Sequence, residues 1–187
     1  YHEHGKSTIN QREIGVDVPD FPEALRRSMR MDPDVLLVGE MRDLDTIAAA
    51  ITAAETGHIV FGTLHTNSAA KTVDRIVNVF PPGQKRQVRS MLSTSLRAVV
   101  SQQLLRTADG KERVAAHEIL LMNTAAAAAI REGKIANLNQ VIRGGAKVGM
   151  TSMDNTLLRL IDEGTVLVED AYLKAQDKTR FDPLMKE

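Results

Sequence analysis

The order of elements along this sequence predicts an α/β fold, a parallel sheet covered by helices and followed by a small α-helical subdomain. Three observations carry that expectation. Val35-Leu36-Leu37-Val38 is apolar at every position and too short for a helix, which is how a strand covered on both faces reads. A helical pattern and a second strand follow at once, and strand, helix, strand, helix with short links implies parallel pairing. After about residue 121 the pattern turns mostly helical.

Each element has its own signals. Thr8 to Ile14 reads as a strand, and because Tyr1 is not Met, an amino-terminal part is expected to be missing. Asp20 caps a helix through about Met31 that opens with Pro22 in its first turn. Asp43 caps the next, where Leu44, Ile47, Ala48, Ile51 and Ala54 fall at helical spacing and Gly57 supplies the stop. A second strand runs from His58 to about Leu64. Ser68 starts a helix with Val73, Ile76, Val77 and Phe80 on one side, closed by Pro81-Pro82-Gly83. A long helix is expected from Gln84 to Leu105, with Val88, Met91, Leu92, Leu96 and Val99 in one stripe and Arg86, Arg89 and Arg97 in another. That Arg stripe fits a solvated face as well as a contact surface. A strand pair turns at Ala108-Asp109-Gly110, its second strand running from Arg113 to Leu121. Thr124 and five alanines, Ala125 to Ala129, come next, then helices near 134–142, 152–163 and 168–176. The expected division is a core over residues 1–121 and a helical subdomain over 122–187.

Composition narrows the function. The 187 residues are 43% hydrophobic and 26% charged, enough for a buried core, and 24 basic side chains cancel 24 acidic ones. No apolar run approaches the roughly 18–20 residues that span a bilayer, and no leader pattern is present, so the chain reads as cytosolic, without membrane insertion. Zero cysteines exclude disulfides, a thiolate nucleophile and a Cys-based zinc site. Two Tyr, four Phe and no Trp leave little for base stacking, and zero net charge removes the simple polyanion argument, so no nucleic-acid partner is expected. Charge is nevertheless segregated: residues 17–45 hold eight acids against four bases, and residues 84–113 seven bases against two acids.

The chemistry gathers around two strand ends. Glu40 follows the first apolar strand, and ligands in open α/β sheets bind beyond the carboxyl ends of strands. His58 and His65 bracket the second strand seven residues apart, roughly 23 Å along a strand, too far to share a metal ion. Only His65, with Thr63 and Thr66, falls at the same sheet edge as Glu40, whereas His58 fits a helix terminus or an interface. Arg26 and Arg30 stand one helical turn apart, with Arg42 just beyond Glu40; they fit either phosphate contact and inter-subunit sensing or a structural pair. His2-Glu3-His4 lacks the HExxH spacing, and Gly144-Gly145-Ala146-Lys147 lacks the GxxxxGK[ST] spacing, which occurs nowhere in the sequence.

Taken together, Gly39-Glu40-Met41-Arg42-Asp43, Thr52-Ala-Ala-Glu-Thr-Gly-His58, Gly62-Thr-Leu-His-Thr66, Arg89-Ser-Met-Leu92 and Val114-Ala-Ala-His-Glu-Ile119 closely resemble the secretion ATPase superfamily, and within it the type IV pilus retraction motors. The resemblance runs from about Asn10 to Leu160. It implies a RecA-like motor fold, a homo-hexamer, and hydrolysis of ATP with Mg2+ between subunits. It assigns Glu40 to the Walker B glutamate, although Gly39 stands where that motif usually has Asp, and His58 and His65 to the His box. Glu40 would orient the attacking water and His65 would meet the terminal phosphate, with Arg26, Arg30, Arg42, Thr63 and Thr66 as nucleotide-contact candidates. It also implies a cytoplasmic protein at the inner face of the membrane, working on a pilus inner-membrane platform protein.

Two departures stand out. The Walker A loop and acidic box of the family do not occur in these residues, so the 187-residue chain alone is expected to bind ATP poorly and not to turn over. At 125–131 the retraction motors carry Ala-Ile-Arg-Asn-Leu-Ile-Arg, and only Ala125, Ile130 and Arg131 match. Two other readings stay open. One is an extension or type II secretion assembly ATPase, which usually inserts a four-cysteine zinc loop where Leu104 to Val114 is short; the other is a non-catalytic assembly domain.

Overall fold

The computed structural model describes residues 2–186, which cluster into two compact units, one ending at Leu64 and the other beginning at His65.

In the first unit, the segment expected as an opening strand makes only an isolated bridge, Ile14 to Val18. The chain closes on itself there: Glu13 N–H donates to the Asp17 carboxylate at 2.8 Å, and Gly15, at φ 85, donates to the Val18 carbonyl. That local turn, not a ladder, occupies the backbone groups. Helix α1 (Phe21–Ser28) begins as expected, with Asp20 accepting the Glu23 N–H at 2.8 Å. It stops three residues short of Met31, ahead of Asp32 at φ 53 and Pro33. Strand β1 (Val35–Val38), helix α2 (Leu44–Glu55) and strand β2 (Ile59–Gly62) complete the unit, and β1 and β2 pair in parallel from Val35 opposite Ile59 to Val38 opposite Gly62.

The expectation that β1 is covered on both faces is corrected. Leu36 and Val38 pack with Leu25, Ala50 and Ala53 of the two helices. On the other face Val35, Leu37, Ile59 and Phe61 are all more than half exposed. An apolar run permits burial on both faces, but α1 and α2 share one core with a single face of the strand.

The second unit holds α3 (Ala69–Asn78), α4 (Lys85–Ser95), β3 (Ala98–Arg106), β4 (Arg113–Leu121), α5 (Thr124–Glu132), α6 (Leu138–Gly144), α7 (Met153–Asp162) and α8 (Val168–Lys174). The long helix over 84–105 is a second correction. Leu96 turns extended, at ψ 135, and after Arg97 nine residues pair antiparallel with β4, from Ala98 opposite Leu121 to Arg106 opposite Arg113. Buried Val99, Ser101 and Leu105 fall at the two-residue period of a strand, so the helical stripe through Leu96 and Val99 ends with α4. Arg97 therefore lies off the helix that carries Arg86 and Arg89.

Leu105 and Ala116 of the hairpin share a core with Met153, Leu157, Leu160 and Phe181. The hairpin, expected within the core over 1–121, thus packs with the helices that follow it. The alanine run forms α5, capped by Asn123, which accepts the Ala126 N–H at 2.9 Å. Ala126, Ala129 and Ile130 are buried, and α5 packs on α4. The helix ends at Gly133, whose φ of 76 suits glycine, and a side chain there would also meet the Arg89 guanidinium at 3.2 Å.

The cap of α2 carries a pH-dependent contribution. Asp43 accepts both the N–H and the O–H of Thr46 at 2.8 Å, and these bonds, the backbone one first, hold its carboxyl below its ordinary value of 3.8. A depressed folded value means the contribution is complete above the unfolded value and disappears as pH falls through the folded one. In urea unfolding at neutral pH, Asp43→Ala is expected to lose about 1 kcal/mol. The gap to the unaltered protein should narrow as pH drops below 3.8; a gap independent of pH would separate the cap from its charge.

Candidate functional site

The carboxyl ends of β1 and β2 are laced together by backbone and hydroxyl groups. Met41 N–H donates to the Thr63 carbonyl at 3.0 Å, and Thr63 O–H donates in a short bond to the Gly39 carbonyl. Glu40 sits between these two anchors, so its backbone is held from both sides. Its side chain is 23% exposed and paired with Arg42, whose side chain is 73% exposed. The hydrogen bond to Glu40, followed by its charge, raises the Arg42 pKa above the ordinary guanidinium value. Three residues after Glu40, Asp43 caps α2, so the strand-end carboxylate and the helix cap belong to one short connection.

The lacing explains a glycine. A Cβ on Gly62 would stand 2.7 Å from Met41 Sδ, and Met41 packs against the core of the first unit. Gly62 lets that thioether cross the end of β2. Neither Met41 nor the Thr63–Gly39 bond was singled out in the sequence, yet a glycine closing an apolar strand is the signal of a close approach.

Other candidates lie elsewhere in this unit. His58 enters β2 at the end opposite Thr63, with Nδ1 at 3.0 Å from the Ala53 carbonyl and 3.2 Å from Thr56 Oγ1. A carbonyl only accepts, so Nδ1 carries the proton and the ring closes the carboxyl end of α2. Arg26 binds Glu23 through Nε and Nη2 at 3.0 and 2.8 Å, and Arg27 binds the same carboxylate at 2.6 Å. Arg27 and then Arg26 hold the Glu23 pKa below its ordinary value. Arg30 is exposed beyond the end of α1, so the two arginines do not share one helix face as the spacing suggested.

The second unit begins with His65, which is exposed, and Thr66. Thr66 Oγ1 lies 2.7 Å from Thr72 Oγ1, and Thr72 O–H donates to the Ser68 carbonyl at 2.9 Å. The proton between the two threonines therefore comes from Thr66. Both threonines named from the sequence have their one O–H engaged, Thr63 with the Gly39 carbonyl and Thr66 with the Thr72 hydroxyl. Among the described residues no three His, Asp or Glu side chains gather to hold a metal ion.

The chain as a whole is similar to known proteins. The chain is 56% identical over 176 residues to a twitching motility protein of Neisseria gonorrhoeae, which covers 94% of the chain and 47% of the relative. It is 52% identical over 180 residues to the type IV pilus retraction ATPase PilT of Pseudomonas aeruginosa, covering 96% of the chain and 52% of the relative. Among solved structures, that of the pilus retraction motor PilT with bound ADP superposes with a TM-score of 0.89 at 44% identity, over 98% of this chain and 51% of that one. The chain thus spans about half the length of the curated relatives it matches, and its fold is α/β and RecA-like with a helical part. Residues 3–180 match the model of the type II/IV secretion system proteins, and the chain belongs to that family.

Proposed function

We propose that this chain is part of an ATP-hydrolysing hexameric motor that powers type IV pilus retraction, the movement of twitching motility. The observation that carries the reading is Glu40, held beyond β1 by the Thr63–Gly39 and Met41–Thr63 bonds, in a chain 52% identical to PilT over 180 residues. The tight turn between β3 and β4 favours retraction over extension: Thr107 N–H donates to the Glu112 carbonyl at 3.1 Å and Asp109 accepts from Thr107 and Lys111, leaving no room for a zinc loop.

ATP with Mg2+ supplies the γ-phosphoryl group and the charge that must be stabilised. The half-buried carboxylate fits the work of orienting water and taking its proton at a Glu40 oxygen. Arg42 shares that carboxylate and must share it with water as well. In this reading His65 meets the terminal phosphate, and Arg26, Arg30, Arg42, Thr63 and Thr66 are the nucleotide-contact residues, with the Thr63 O–H also fixing the Gly39 carbonyl and the Thr66 O–H also bonded to Thr72. His58 secures the other end of the strand. No helix among the described residues is long and apolar enough to cross a membrane; the reading has the motor at the cytoplasmic face, acting on a platform protein in the inner membrane.

Three outcomes test this. In the full-length protein Glu40→Gln should lower ATP turnover by at least about a hundredfold while nucleotide binding persists; unchanged turnover removes Glu40 from the role of orienting water. The 187-residue chain by itself should show no ATP turnover, because no phosphate cradle of the GxxxxGK[ST] type occurs in it; measurable hydrolysis by that chain contradicts the division of labour. Installing Ile, Arg, Asn and Leu at 126–129 should raise retraction without raising ATP turnover if α5 couples hydrolysis to pulling, and an absence of gain argues against that coupling.

A further inference from the structure

Glu118 lies mid-strand in β4 with its side chain on the inner face, and it is 1% exposed. Three donors reach its carboxylate. Oε1 accepts the Ala69 N–H at 2.7 Å, and Oε2 accepts the Met153 N–H at 3.3 Å and the Gln176 Nε2–H at 2.9 Å. Ala69 is the first residue of α3 and Met153 the first of α7, so each oxygen meets the amino end of a different helix. Gln176 is itself fixed, since buried Asp154 accepts the N–H groups of Gln176 and Asp177 at 2.8 and 3.1 Å.

Ala69 stands four residues after His65. The path between them is short and anchored: Thr66 donates to Thr72 inside α3, and Ser68 caps α3 by accepting the Lys71 N–H at 3.2 Å. Where α3 begins therefore sets where His65 and Thr66 stand, and Glu118 holds the beginning of α3. An apolar side chain at 118 would fill the inner face without desolvating a charge, so the carboxylate is there for what it grips.

We propose that Glu118 is a positioning residue for the His65–Thr66 loop, and that through Met153 and Gln176 it ties this loop to the carboxyl-terminal helices. The inference rests on the ATPase reading of that loop. In a motor, the bond network makes a displacement near Gln176 or α7 felt at the start of α3.

The test uses the full-length protein and single-turnover hydrolysis of bound ATP, a rate that does not depend on the fraction of folded molecules. In Glu118→Gln one acceptor becomes an NH2 group facing an N–H, so the two helix ends cannot both be held. Ala69→Pro replaces the N–H that Glu118 accepts with a ring CH2, so Oε1, 2.7 Å from that nitrogen, must withdraw from the start of α3; proline suits a first helical position, and Ser68 before it is already extended, at φ −158 and ψ 154. Both variants should slow the hydrolytic step about ten- to a hundredfold, with KM for ATP unchanged. Amide exchange in Glu118→Gln should rise together over 66–72 and 151–157. Unchanged single-turnover rates in either folded variant, or a rise in KM alone, overturn the role of Glu118. If the unaltered protein turns over ATP and Glu40→Gln stops it while Glu118→Gln and Ala69→Pro do not, only this inference fails. If the unaltered protein has no turnover, the ATPase reading fails and takes this inference with it.

Discussion

A carboxylate taken out of water must find donors, and in the second unit that requirement organises the packing. Removing an ionised group from solvent costs several kcal/mol unless hydrogen bonds replace its hydration. Glu118 finds its replacements 49, 35 and 58 residues away along the chain. None of these partners is local, so the inner face of β4 closes fully only when α3, α7 and the segment at Gln176 have all arrived. Late satisfaction of one group by three distant segments favours all-or-none assembly, because partial structures leave the charge buried and unmatched. Asp154 repeats the device on a smaller scale within the same cluster.

The first unit is held by helix caps and by the pairing of neighbouring strand ends. Asp20 and Asp43 each satisfy a helix N–H three residues on, and Thr63 and Met41 close the ends of two adjacent parallel strands. Such bonds stiffen the turn that carries Glu40 through the adjacent strand, without a buried charge. The catalytic proposal therefore draws on two kinds of rigidity, paired strand ends behind Glu40 and a buried carboxylate behind His65.

How much of this was legible in the sequence follows from the range of each interaction. The caps Asp20, Asp43 and Ser68 were read correctly because a cap is an i to i+3 event written in adjacent residues. Strand β4 was bounded correctly by its turn and its apolar residues. Strand β3 was not: Val88 to Val99 keeps helical spacing by coincidence, and only pairing with β4 decides that Ala98 onward is extended. The open face of β1 was illegible for a similar reason, since hydrophobicity reports what a residue tolerates and not which neighbours exist. At the site, Glu40 could be placed from its strand. The engagement of the Thr63 and Thr66 hydroxyls, the pairing of Arg26 with Glu23 and the grip of Glu118 depend on side-chain geometry that spacing does not encode.

The uncovered face of the β1–β2 pair has a thermodynamic consequence. Val35, Leu37, Ile59 and Phe61 already meet water in the folded chain, so unfolding hydrates less new apolar surface than 187 residues would ordinarily expose. Length alone gives a heat-capacity increment of about 2.2–2.8 kcal/mol/K, and denaturant sensitivity scales with the same surface. For these 187 residues by themselves both quantities are expected to fall below the length-based value. The stability curve of the 187 residues should be correspondingly flatter with temperature, because residues that would have curved it are hydrated on both sides of the transition.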